Sequence, residues 1–115
     1  MTIYSKSLSE PWFSLIYFKH KKVEGRLNVG DFKKMKENDI IIWHNKDFDI
    51  HREYKTMIKY VKHYDNFTEY LRNEKLERCL PTIGNIEDGL KIYYRYYNKT
   101  DEEKYGVVAI RLKIC

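Results

Sequence analysis

Apolar residues in this chain come in bursts of no more than four, such as Ile40-Ile41-Ile42-Trp43 and Val107-Val108-Ala109-Ile110, each bounded by polar or glycine positions. A membrane-spanning helix needs about 20 apolar residues, so these bursts fit short buried strands instead. At 115 residues, the chain has the size of one domain covering residues 1–115, with one modest core. Hydrophobic residues make up 43% and charged residues 34%, a balance that supports a packed fold and excludes a disordered tail or a collagen-like chain. Lysine and arginine number 22 against 17 acidic residues, a net charge of +5, which favours a polyanion over a cation as partner.

The periodicity of the apolar positions switches several times. Trp12, Phe13, Leu15, Ile16 and Phe18 follow Pro11 and predict a short helix with proline in its first turn and Ser9 as cap. From Val23 to Leu27 the period becomes two, with Val23, Gly25 and Leu27 on one face and Lys22, Glu24 and Arg26 on the other. A connector over Gly30 to Lys36 leads to a buried strand at Ile40 to Trp43. Asn45, Lys46 and Asp47 then turn the chain into a long, bulged strand from Tyr54 to Tyr64. Asn66 and Glu69 have capping-box spacing and open a helix with Phe67, Tyr70 and Leu71 inward, ending near Cys79 ahead of Pro81. Asn85 caps the next helix, whose Ile86, Leu90, Tyr93, Tyr94 and Tyr97 recur at i, i+4, i+7, i+8 and i+11. Tyr105 to Ile114 supplies the last strand. Mixed elements without a linker predict the α+β class, with a curved sheet of five or six short strands closing into a small β-barrel flanked by about three helices.

Some chemistries are not expected. Met1 to Ser9 lacks the apolar stretch of a secretory leader, and Cys79 and Cys115 form no CxxC pair. Free, reduced cysteines in an intracellular, cytoplasmic protein follow as the expectation. His20, His44, His51 and His63 have neither HxxxH nor HExxH spacing, so no metal site and no cofactor is predicted.

The densest chemistry lies in Lys21-Lys22-Val23-Glu24-Gly25-Arg26. Strand geometry projects Glu24 and Arg26 from one face roughly 6.6 Å apart, close enough to share a ligand. The planar arginine fork matches phosphate or carboxylate oxygens, and a neighbouring glutamate orients that fork or serves as a general base. The same spacing also suits a solvated Arg–Glu pair of little energetic worth, and spacing alone does not choose. Trp12 and Trp43 each suit base stacking or core packing. Among the clustered tyrosines only Tyr96 falls outside the helical stripe. Asp101, Glu102 and Glu103 fit an ordinary solvated surface.

Taken in order, several segments resemble the ASCH family of the PUA-like superfamily over nearly the whole chain. They are Pro11-Trp12, Lys21-x-x-Glu24-x-Arg26, Asp39 ahead of Ile40-Ile41, Tyr64-Asp65-Asn66-Phe67 with Glu69-Tyr70-Leu71, and Tyr105-Gly106-Val107-Val108. Asn38 stands where that family has a glycine, and asparagine accepts a positive φ more readily than most residues. Lys22 stands where threonine is common. The resemblance implies a cleft between barrel and helices that binds RNA or a nucleotide-like ligand such as a modified nucleoside, with Trp12, Lys21, Lys22, Glu24 and Arg26 as ligand-binding residues. Lys33, Lys34, Lys36, Lys55, Lys59 and Lys62 would add positive strips beside that cleft. As an alternative, the resemblance implies a small hydrolase, either an amidohydrolase acting on acetylated cytidine or a ribonuclease. Lys21 would then work with Glu24 as base for water and with a helix carboxylate from Glu74 or Glu77.

Overall fold

The computed structural model describes residues 1–115, which form five strands and five helices. Their order is β1 (Ile3–Ser7), α1 (Trp12–Tyr17), β2 (Val23–Leu27), β3 (Ile40–Asn45), β4 (Arg52–Tyr64), α2 (Phe67–Glu74), α3 (Leu76–Cys79), α4 (Ile86–Tyr93), α5 (Lys99–Tyr105) and β5 (Val107–Ile114). Short 3₁₀ turns at Gly30–Lys33 and Asp47–Asp49 precede β3 and β4.

One curled sheet runs in the order β1-β3-β4-β5-β2, with β1 parallel to β3 and every other pair antiparallel. β1 and β2 are its two edges and share no ladder, so the sheet is a half-barrel and not the closed barrel expected. The expected count of about three helices also rises to five. β4 carries the anticipated bulge, where pairing with β5 slips between Ile58 and Tyr60.

Apolar side chains pack on both faces of the sheet, where a single core was expected. The cause lies in β5, which is apolar on both faces from Val107 to Ile110, as a strand covered on both sides must be. Val107 and Ala109 point toward Val23, Phe67, Tyr70 and Leu71 beneath the α2–α4 layer. Val108, Ile110 and Leu112 join Phe13, Ile16, Ile41, Trp43 and Ile58 on the opposite face. Trp12 packs against both clusters from its place at the start of α1.

Local chemistry accounts for the element boundaries. Asn66, Asn85 and Asn98 each accept a hydrogen bond from the backbone N–H three residues on, at 2.8, 2.9 and 2.8 Å, and so cap α2, α4 and α5. Ser9 does not cap α1. Pro11 occupies the N-cap position, and the Glu10 carboxylate accepts from the Ser14 N–H at 2.9 Å, its longer side chain reaching where the serine hydroxyl does not. The helix expected to run to Cys79 breaks at Lys75, whose φ of 76° is left-handed and separates α2 from α3. Asn38 has φ 74°, the conformation for which asparagine is suited, and sets up the buried Asp39. The Asp39 carboxylate then ties down the Thr2 and Lys36 N–H groups at 2.9 and 3.1 Å.

Candidate functional site

The unpaired edges of the sheet leave a seam, and a hollow of about 250 Å³ occupies it. Its walls are Ser7 at the end of β1 with Leu8 and Ser9 after it, Trp12 of α1, Lys21 and the β2 residues Glu24, Gly25 and Arg26, and on the helical side Leu80, Ile92, Tyr93, Tyr96 and Tyr97. Drug-sized ligands occupy pockets of about 300 Å³ and upward, so this hollow suits a smaller group. Gly25 matters to its shape: a side chain there would run into the ring of buried Tyr70, so only glycine lets β2 sit this close to α2.

Three charged side chains form a chain from the interior to the mouth. The Lys21 Nζ donates to the Val23 carbonyl at 2.6 Å and to the Cys79 carbonyl, and lies 3.2 Å from Glu24 Oε1, so all three of its donors are engaged. The other Glu24 oxygen accepts from Arg26 Nε at 2.8 Å. Arg26 in turn reaches across the seam to donate from Nη2 to the Ser7 carbonyl at 3.3 Å. Side-chain exposure rises along the series from 1% for Lys21 through 8% for Glu24 to 21% for Arg26, which makes Arg26 the most accessible of the three. Its guanidinium lies 5.0 Å from the centre of the Phe32 ring and 5.6 Å from that of Trp43, which support it from the far side.

Electrostatics keep this chain ionised. Burial by itself would raise the Glu24 pKa, but Lys21 and Arg26 outweigh it and hold the carboxyl below the ordinary carboxylate range. For Arg26, burial pulls the pKa down and the Glu24 charge more than restores it, so the guanidinium stays charged. The aromatic wall is equally fixed: Phe67 stacks on Tyr93 at 4.5 Å and on Tyr97 at 5.4 Å between ring centres, and the Tyr93 hydroxyl meets that of Tyr70 at 3.1 Å. Tyr96 stands at the rim and is 64% exposed, the most accessible ring of this wall.

A family model for the ASCH domain matches residues 7–115. The chain belongs to the ASCH domain family. Among solved structures, the ASCH domain described here is similar to a crystal structure of the hypothetical protein PH0355, with a TM-score of 0.89 and 34% identity over 99% of this chain and 100% of that one. It is also similar to the solution NMR structure of the protein PF0455 from Pyrococcus furiosus, with a TM-score of 0.79 and 34% identity over 98% and 97% of the two chains. No curated protein matches it. No helix of this ASCH domain is long and apolar enough to cross a membrane.

Of the residues picked out in sequence, Trp12, Lys21, Glu24 and Arg26 meet in the hollow of the ASCH domain, and Lys22 does not. β2 begins only at Val23, so the alternation does not reach back to Lys22. The Lys22 N–H bonds to the Arg78 carbonyl, and its side chain lies in a separate basic groove with Lys19, Lys59, Arg111 and Lys113. None of Lys33, Lys34, Lys36, Lys55, Lys59 and Lys62 is on the wall of the hollow. Trp43 is fully buried, its Nε1 donating to Thr56 Oγ1 at 3.0 Å, and is a core residue with no face for stacking. Glu74 is also buried, and its two oxygens accept from the hydroxyls of Tyr60 and Tyr64. Burial and those bonds to the carboxylate push the Tyr60 hydroxyl up to about 12 and the Tyr64 hydroxyl higher still. Glu77 is exposed on α3, and neither glutamate lines the hollow.

The ASCH domain also uses residues that sequence reasoning passed over. Ser7 and Leu8 come from a segment with no helical or strand signature, and Ser9 was read only as a cap for α1. Tyr97 and Tyr96 enter through the turn after α4, and the departure of Tyr96 from the apolar stripe was its one visible sign. Away from the hollow, the β3–β4 hairpin gathers His44, His51 and Glu53, a set that could hold a metal ion and that no spacing motif announced. Cys79 is buried and Cys115 exposed, both free; burial raises the Cys79 thiol to about 11.

Proposed function

We propose that this ASCH domain binds RNA by taking an unpaired base, or a modified nucleoside, into the hollow at the sheet seam. The observation that carries the proposal is Arg26: it is partly exposed at the mouth, clamped by Glu24, and retains guanidinium N–H donors beyond those given to Glu24 and Ser7. Lys21 cancels the charge of Glu24, so the trio presents one net positive charge to the hollow, suited to a phosphate or to the carbonyl edge of a base. Trp12 and the exposed Tyr96 flank that charge with π-surface, the combination by which single-stranded nucleic acids are held. Catalysis has weaker support. Lys21 has no donor or lone pair to offer, the depressed pKa of Glu24 makes it a poor base, and Glu74 is held elsewhere by two tyrosines.

The test is fluorescence anisotropy with short single-stranded RNA at two salt concentrations, on the native chain and on Arg26→Ala. Binding should weaken as salt rises, and loss of Arg26 should weaken it roughly tenfold or more, the worth of one well-made arginine contact. Equal, salt-independent binding by both proteins would overturn the proposal. Acetylcytidine and labelled RNA incubated at high protein concentration should be recovered intact; product in either case would move the chain to the hydrolase class.

A further inference from the structure

We infer that the β3–β4 hairpin carries a binding site for a divalent transition-metal ion, held by His44 Nδ1, His51 Nε2 and Glu53 Oε1. The three ligand atoms lie within 4.8 Å of one another. Donors bound at about 2.0–2.1 Å around a tetrahedral zinc sit roughly 3.3 Å apart. Here the separations are 2.8 Å between the two histidine nitrogens, 3.6 Å from His51 to Glu53 and 3.9 Å from His44 to Glu53, values that bracket that spacing.

The fold builds this set from the backbone up. His44 and Glu53 are direct partners across the β3–β4 ladder, so their side chains leave the same face side by side. His51 enters from the residues just ahead of β4, and its ring meets that of His44 edge to edge, the planes within 8° of parallel, the centres 5.1 Å apart and the facing nitrogens 2.8 Å apart. Sequence motifs for metals are mostly helical spacings, which is why ligands at positions 44, 51 and 53 escape them.

Two further details favour a cation. Ser5 Oγ on β1 lies 2.6 Å from His44 Nε2, which fixes that ring and leaves Nδ1 as the nitrogen facing the cluster, the outer-shell arrangement found behind metal-binding histidines. Two imidazole nitrogens 2.8 Å apart also need a proton between them, and a metal ion takes the place of that proton and releases it. Two imidazoles and one carboxylate match zinc, nickel, cobalt or copper and not magnesium or calcium, which prefer all-oxygen sites. His51 and Glu53 are each 48% exposed, so the fourth coordination position opens to water. Lys6 and Lys46 border the same depression; Lys6 is neutralised by Asp31 at 2.7 Å, while Lys46 is exposed and free to turn away. The inference does not depend on RNA binding.

Isothermal titration of the full chain with zinc chloride should show one equivalent bound, and magnesium chloride should show none. His51→Ala should weaken zinc binding roughly tenfold or more, Ser5→Ala should weaken it by a smaller factor, and Cys115→Ser should leave it unchanged. His51 is exposed, so the metal-free melts of His51→Ala and the native chain should coincide, and Glu53→Gln provides a second, independent variant. Absence of zinc binding, or zinc binding unaltered in both His51→Ala and Glu53→Gln, would overturn the inference.

Discussion

Glu24 sits between two cations with one oxygen for each, and this position explains both what it stabilises and why it was hard to value from sequence. The period-two pattern correctly placed Glu24 and Arg26 on one face of β2, but a pattern of charge does not say whether that face meets water or a cleft. The answer came from Trp12, Tyr93 and Tyr97, which cover the strand from segments far along the chain. Glu24→Gln keeps the size and one acceptor but leaves the Lys21 ammonium buried beside a neutral amide. The expected cost is about 3 kcal/mol, the low end for breaking a buried pair. The pH dependence has a definite sign. Because the folded pKa is depressed, the stabilisation by ionised Glu24 is complete above the unfolded value of about 4.3 and is lost as pH falls through the lower folded value. Denaturant melts of native and variant chains should therefore differ by a constant amount from about pH 5 to 7 and converge below pH 4. A difference that stays constant down to pH 3 would show that the charge of Glu24 contributes nothing to stability.

Elements with an apolar pattern or a capping residue were legible in the chain: β2, β3, the bulged β4, β5, and the starts of α2 and α4 all fall where periodicity and asparagine caps put them. Three elements were not: α3, which the left-handed Lys75 splits from the expected longer helix, β1 and α5. β1 has no buried residue and depends on backbone pairing with β3, and such pairing leaves no mark in side-chain hydropathy. α5 reads Lys-Thr-Asp-Glu-Glu-Lys-Tyr, polar all round, and buries one residue, Glu102, which composition had assigned to a solvated surface. Glu102 joins three elements. It accepts from the Phe67 N–H at 2.8 Å, the first turn of α2, and from the Tyr94 hydroxyl after α4 at 2.9 and 3.0 Å. A carboxylate at a helix N-terminus also faces the positive end of its dipole. Glu102→Ala strands a buried N–H and a hydroxyl, so the expected loss is about 2 kcal/mol, or about 8 °C in melting temperature for a chain of this size. Asn85→Ala, which removes only the α4 cap, should cost about 1 kcal/mol. Equal melting temperatures for Glu102→Ala and the native chain would refute the linking role.

At the scale of the whole molecule, the open seam decides both where the hollow lies and how stability is distributed. β4 and β5 are interior strands, paired on both sides, and β5 is also covered by apolar side chains on both faces, whereas β1 is paired on one side only and has no fully buried residue, Tyr4 alone packing partly on the core. Exchange of backbone amides follows such differences, from near-free opening at loosely held edges to the global unfolding energy at the centre. Amides of β1 should therefore exchange several orders of magnitude faster than those of β4 and β5. The hollow takes its walls from both edges, and the Arg26 bond to the Ser7 carbonyl is the side-chain link across them. A ligand seated there must hold Ser7 and β2 together, because it binds the closed arrangement and not the parted one. Saturating the protein with a short single-stranded RNA should slow exchange at β1 and β2 while leaving the already protected β4 and β5 unchanged, as read by hydrogen–deuterium exchange mass spectrometry. Protection that appears over the basic groove of Lys19, Lys22 and Lys113 and spares β1 would move the binding surface off the seam.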